Sequence, residues 1–250
     1  MLDCRILIVS VVITLTACTH QPITWQRTSD AALHAAVHPS VWVPVVGAGV
    51  FAIDRLDRRT ADYFSEHTPV FGSNESAANA SDDLKSALKV TAGLSAIITP
   101  VPAEENAWFH RGEHLAVALG GIALTSGITD TIKRATDRPR PDNSDNASFP
   151  SGHASQAFAS ATFASENIHR ALGDTGGAYW VDAGLYTAAG LTALARVEAG
   201  VHYPTDVLAG AALGNFIGRF LDELLLADPD TSLVAALDRH TVMLGFRHAF

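Results

Sequence analysis

The sequence predicts an all-α protein: a compact bundle of six or more helices in one domain, with its functional site at helix ends and loops. Three observations carry this expectation. Apolar stretches rich in Ala and Gly recur at 41–53, 115–128, 183–195 and 207–217. Between them the chain is punctuated by Gly, Pro, Ser and Asn, as helices separated by turns are. No regular strand rhythm and no internal repeat run through it.

The elements follow in order. Residues 20–39 read as a tether leading into the domain. Residues 41–54 form an apolar helix with Pro44 near its start, where proline is tolerated. Residues 55–65 are charged and continue as a surface helix. Residues 67–81 contain Pro69, Gly72, Ser73, Asn74 and Asn79 and read as a loop. A helix over 82–99 takes Ser81 as its N-cap, with Asp82 and Asp83 at the positive end of the dipole. Pro100 and Pro102 interrupt the chain. Residues 104–136 read as one long helix or two abutting ones, and 138–150 as a loop rich in Pro, Asp and Asn. Helices over 152–169, 179–197 and 204–226 complete the set. Residues 241–250 alternate partly and read as a packed tail.

Composition bounds the function. The chain has 250 residues, 48% hydrophobic and 17% charged. It therefore has material for a large core, and disorder as the main state is excluded. Its mean hydropathy of +0.16 is high. Each apolar stretch is nevertheless shorter than the roughly 20 residues that cross a bilayer, so a globular bundle is expected rather than an integral membrane one. The net charge of −9 argues against nucleic acid as a partner. The basic residues are unevenly placed: Lys133, Arg134, Arg138 and Arg140 fall within one short segment. One basic knot in an acidic protein points to a local anion site, and a solvated loop is the plain alternative.

The cysteines, Cys4 and Cys18, both lie at the N-terminus and build no disulfide framework. An apolar run over 6–17 follows Arg5 and is too short to span a bilayer, so it reads as the core of a secretory signal. It ends in Leu15-Thr16-Ala17-Cys18, which resembles the lipobox of bacterial lipoproteins. That resemblance implies a signal peptide over 1–17, a lipid on Cys18, a lipidated tether over 18–39 and a helical domain over 40–250. Thr19 after the cysteine suggests the outer membrane, on its periplasmic side. An ordinary cleaved signal with a chance cysteine is the alternative.

Three segments carry the chemistry. The first runs from Lys133 to Arg140-Pro141. The second is Pro150-Ser151-Gly152-His153. The third holds Arg196, His202 and Asp206. In order and internal spacing they resemble the three-part signature of the type 2 phosphatidic acid phosphatase superfamily, which includes bacterial acid phosphatases and vanadium haloperoxidases. The resemblance covers about residues 110–220. It departs from the pattern at Ala195, where the family usually has Ser. Arg138-Pro139 duplicates the Arg-Pro pair two residues early, with Arg138 the fallback for Arg140.

The resemblance implies a phosphatase that hydrolyses a phosphomonoester or diphosphate through a phosphohistidine, without a metal or other cofactor. The substrate is expected to be a lipid phosphate or a small phosphorylated metabolite. Elementary chemistry agrees. A phosphoryl group in transfer spreads negative charge over its oxygens, so the protein supplies positioning and cationic donors. Lys133, Arg140 and Arg196 suit that role. Ser151 and Gly152 enter a helix whose first N–H groups and dipole favour an anion. Asp206 can orient His202 as the nucleophile, and His153 can protonate the departing oxygen. Glu198 and Asp137 are expected to be structural charges. The alternatives are a vanadium-dependent haloperoxidase, a phosphotransferase and an envelope lipoprotein with a degenerate site. A zinc site at His110 and His114 is a fourth, since His110-Arg111-Gly112-Glu113-His114 has the His-x-x-Glu-His pattern. The plain reading of that motif is a helix start facing the mouth of the site.

The lipobox yields a test. A fatty acid fed to expressing cells should label the wild-type protein and not Cys18→Ser; an unlabelled wild-type chain would rule out lipidation.

Overall fold

A computed structural model of the chain describes residues 23–100, 107–227, 231–238 and 241–248. The fold is all-α, with eight helices among the described residues. They are α1 (Trp25–Val37), α2 (Pro39–Phe51), α3 (Leu56–His67), α4 (Asn74–Ile98), α5 (Ala107–Thr136), α6 (Gly152–Leu172), α7 (Gly176–Glu198) and α8 (Pro204–Leu225). A two-stranded antiparallel hairpin follows, β1 (Thr231–Asp238) and β2 (Thr241–His248), in register from Thr231 opposite His248 to Asp238 opposite Thr241. Residues 1–22, with the signal and Cys18, lie outside the described residues.

Three expectations change. The tether is a helix from Trp25 onward. Ala31 and Ala35 of α1 are buried, and His34 pairs with Glu223 of α8. The long loop ends early, because α4 starts at Asn74 with Ser73 as N-cap, its side chain accepting from the Ser76 N–H. Ser81 lies two turns inside that helix. The run from Asn74 to Ser81 has no proline or glycine and three alanines, so once Gly72 breaks the chain nothing prevents a helix. The tail forms a hairpin. In β1 the apolar residues Leu233 to Leu237 are continuous, which hides the alternation that announces a strand.

The core is built around α6, whose alanines at 157, 159, 161 and 164 are fully buried among Leu88, Val117, Ile122, Leu185, Ile217 and Leu221. Small residues let the neighbouring helices approach closely. Gly214 of α8 lies against the α6 backbone, where an added Cβ would collide with the Ser155 carbonyl oxygen. This contact sets how far apart the N-termini of α6 and α8 lie.

The surface is unusually apolar in places. All four tryptophans (Trp25, Trp42, Trp108 and Trp180) are exposed. α2 carries no charged side chain and exposes Val43, Val46, Val50 and its neighbour Ile53. Among the described residues one helix, Trp108–Thr136, is long and apolar enough to cross a membrane by length and composition, and α1 with α2, bent by 53°, passes the same test only as a pair. The apolar stretch 115–128 understated the former, because Glu113-His114 and Thr129-Asp130 bound that stretch within a longer continuous helix.

Gly214→Ala should destabilise the fold by about 3 kcal/mol, since backbone cannot yield as a side chain tip can. Gly184→Ala, in the middle of α7 with open space around it, should be neutral or stabilising by up to about 1 kcal/mol. Chemical denaturation of the two variants compares them directly.

Candidate active site

α5 and α7 end where α6 and α8 begin, so all three sequence motifs meet at one end of the bundle. Asp206 occupies the first turn of α8 and is fully buried. Its Oδ1 accepts from Arg138 Nη1 at 2.6 Å, and its Oδ2 from Ser148 Oγ at 2.5 Å and the Tyr203 N–H at 2.8 Å. Burial alone would raise its carboxyl. The nearby His202 ring, the Ser148 hydroxyl and the Arg138 charge hold it below the usual carboxylate value. His202 is buried just ahead of α8, with Nδ1 3.6 Å from Asp206 Oδ2 and no closer hydrogen-bond partner. Burial, helped by the charges of Lys133 and Arg196, lowers its pKa to about 4 against the pull of Asp206. The imidazole is therefore neutral at pH 7 and keeps a lone pair.

Arg138 is committed elsewhere than to a ligand. Besides Asp206 it reaches Thr205 Oγ1 at 2.7 Å and Asp57 Oδ2 of α3 at 2.7 Å, with its guanidinium over the Tyr203 ring. Asp57 in turn accepts from the Thr205 N–H and hydroxyl. The fallback reading of Arg138 as a ligand thus gives way to a clamp on the start of α8. Asp57 and Ser148 belong to no motif, and only an acidic residue early in a charged helix hinted at the first.

The second motif starts α6. Ser151 is its N-cap, and the Ser151 N–H donates to the Asp206 carbonyl at 2.9 Å, tying α6 to α8. The Ser151 Oγ accepts from the Ala154 N–H as the cap, and the first-turn N–H groups of Gly152 and His153 have no carbonyl partner within the helix, as suits an anion. The Lys133 side chain runs beside Gly152, with its Cε 3.9 Å from where a Cβ would sit. The Lys133 ammonium, held by the Ala147 carbonyl, is pushed down by burial and by Arg140. Arg140 Nε pairs with Asp145 at 2.6 Å. Arg196 reaches Ser81 Oγ at 3.2 Å, while its Nε is buried without a partner; burial and the Arg140 charge lower its pKa. Three cations thus repel one another around a helix N-terminus.

His153 lies 2.8 Å from Asp82 and 2.9 Å from Lys85 Nζ, both on α4. Burial and then Arg196 lower its pKa to about 4. Glu198 is fully buried and accepts from the Val70 and Phe71 N–H groups, so it anchors the loop that leads into α4. His110 and His114 sit near the opposite end of α5 from Lys133, not at the mouth of the site. His110 Nδ1 pairs with Glu113 and His114 Nδ1 with Asn167. Among the described residues no third ligand joins them.

This geometry coincides with what the sequence is similar to. Residues 114–224 match the PAP2 superfamily. The chain is 35% identical over 112 residues to lipid A 1-phosphatase of Porphyromonas gingivalis, covering 44% of this chain and 24% of that protein. It is 34% identical over 117 residues to decaprenylphosphoryl-5-phosphoribose phosphatase of Mycobacterium tuberculosis, covering 43% of this chain and 59% of that one. The chain thus spans less than two thirds of either relative. The fold is shared with the transmembrane PAP2-type phosphatidylglycerolphosphate phosphatase of Bacillus subtilis, with a TM-score of 0.55 and 20% identity over 73% of this chain and 92% of that one.

The buried neutral histidines make stability depend on pH. His153 and His202 have folded-state pKa values of about 4, below the 6.5 of an unfolded histidine. Between these values the unfolded chain binds protons that the folded chain does not, so stability falls as pH drops from about 6.5 to 4. His202→Asn should flatten that part of a melting-temperature profile; an unchanged slope would contradict a buried neutral His202.

Proposed function

We propose that this protein is a metal-independent phosphohydrolase acting on a phosphomonoester or diphosphate. The observation that carries this reading is the cation cluster of Lys133, Arg140 and Arg196. It is half-buried beside the N-terminus of α6 and lies next to a neutral imidazole. A phosphate group supplies the negative charge that such a site lacks.

In this reading Lys133, Arg140 and Arg196 bind the phosphoryl oxygens with the Ser151 hydroxyl and the N–H groups of Gly152 and His153. His202 attacks phosphorus through Nε2, the nitrogen remote from Asp206. The bond from phosphorus to the leaving oxygen breaks, its electron pair goes to that oxygen, and His153 gives it a proton. Asp206 stabilises the imidazolium so formed. Water then attacks the phosphohistidine and gives a proton to His153. Inorganic phosphate leaves, and His202 recovers its lone pair. His153 needs a proton to begin, and the negative charge of a bound phosphate raises its pKa toward that state.

The names of the relatives support a lipid phosphate as substrate. Residues 1–22 support placement at the bacterial envelope, with a lipid on Cys18 holding the domain on the periplasmic face of the outer membrane. The exposed row on α2 is compatible with a membrane surface nearby.

Phosphate release should survive EDTA and be blocked by orthovanadate, which adopts the five-coordinate geometry of phosphoryl transfer. His202→Ala should lower turnover at least about a thousandfold and abolish any trapped phosphoenzyme. His153→Ala should slow alkyl phosphates more than an activated aryl phosphate, whose leaving oxygen needs less protonation. Near-wild-type turnover in folded His202→Ala would overturn the phosphohistidine mechanism. Halide oxidation with vanadate, without phosphate release, would favour a haloperoxidase.

A further inference from the structure

The chain has only three lysines, and two of them lie on α4. Lys85 Nζ is 2.9 Å from His153 Nε2 and 2.7 Å from Asp82 Oδ1, with its side chain only 17% exposed. Lys89 follows one turn later on the same face of the helix. It is partly buried and makes no salt bridge among the described residues. Asp82 is 59% exposed and is the only acid paired with Lys85 among the described residues.

Two like charges four residues apart on a helix repel, and burial adds a desolvation cost. An anion close to both offsets each. The position of Lys85 says which anion. Its ammonium stands at His153 Nε2, where the oxygen protonated by His153 must arrive. A simple alkyl monoester brings a neutral alcohol oxygen to that place and leaves the ammonium without a partner. A diphosphate brings a second phosphate there. Transfer of its terminal phosphoryl group to His202 then leaves the inner phosphate against Lys85.

We propose that Lys85, with Lys89 behind it, forms a subsite for a second phosphate on the leaving-group side of His153, so that the preferred substrate is a phosphoanhydride. The proposal rests on the phosphohydrolase reading and narrows it. Asp82 keeps Lys85 in place in the empty site and yields it to the incoming phosphate. None of the three sequence motifs includes these α4 residues.

The test uses the full chain and its Lys85→Met and Lys85→Arg variants. Phosphate release is measured from geranyl diphosphate and geranyl monophosphate, which differ only in the second phosphate. Lys85→Met should lower the diphosphate-to-monophosphate ratio of kcat/KM about tenfold or more, as loss of one charged contact to phosphate does. Lys85→Arg should restore part of it. A ratio within about threefold of wild type overturns the subsite, even if both rates fall, because Lys85 would then act only on His153. Calorimetry with methylenebisphosphonate and orthophosphate provides a readout independent of turnover. The bisphosphonate should bind wild type more tightly than orthophosphate does, and Lys85→Met should erase that difference. Equal bisphosphonate affinity in wild type and Lys85→Met sinks the subsite. Lys85-dependent binding without phosphate release from any substrate sinks the hydrolase reading instead.

Discussion

The buried carboxylate of Asp206 is the constraint on which the rest of the site depends. A charge with no exposure is tolerated only when its oxygens are surrounded by donors and a countercharge. Asp206 draws these from Arg138 and Ser148 in the loop and from the Tyr203 N–H at the helix start, with the His202 ring 3.6 Å away. Its backbone carbonyl fixes the start of α6 through the Ser151 N–H. One residue thereby holds all three motifs in register. Arg138 extends the restraint to Asp57 on α3, so a helix outside residues 114–224 helps to set the orientation of Asp206.

Packing supplies the other half of the geometry. In the proposed mechanism His153, on α6, and His202, just ahead of α8, serve one phosphorus atom, which requires the two helix starts to lie close together. Alanines on α6 and Gly214 on α8 allow backbone-to-backbone contact along the shared length. Larger side chains there would separate the two N-termini. The price of such small residues is a core with few large side chains, in which Phe163 is the largest fully buried one. The Ala and Gly content of the apolar stretches thus has a use within the bundle.

What the sequence made legible were local patterns. The helices after Pro139 and the three motifs depend on spacing within short segments, and spacing is visible in one dimension. The missed features are of another kind. Asp57 meets Thr205, and Lys85 meets His153, across long stretches of chain, and neither pairing leaves a periodic trace. The start of α4 was misplaced because Ser81 before two aspartates resembles a cap as well as Ser73 does; the break at Gly72 decided between them. The hairpin was hidden because the apolar residues Leu233 to Leu237 run continuously instead of alternating. Arg138 and Arg140 could be told apart by spacing alone, but why the chain carries both needed the contacts of Arg138.

In the proposed mechanism, the electrostatics of the site give two histidines with similar surroundings different roles. Both are neutral near pH 7 because burial and neighbouring cations disfavour a second positive charge. A neutral histidine suits a nucleophile at once, and His202, fully enclosed beside Asp206, has that state. His153 has to acquire a proton, and it borders the more exposed Asp82. An arriving phosphate cancels the field of Arg196 and Lys85 that keeps His153 neutral, while Asp82 continues to favour the imidazolium. In the proposed reaction, substrate binding thus protonates His153 without a change in pH, while Arg196 and Lys85 keep it neutral beforehand.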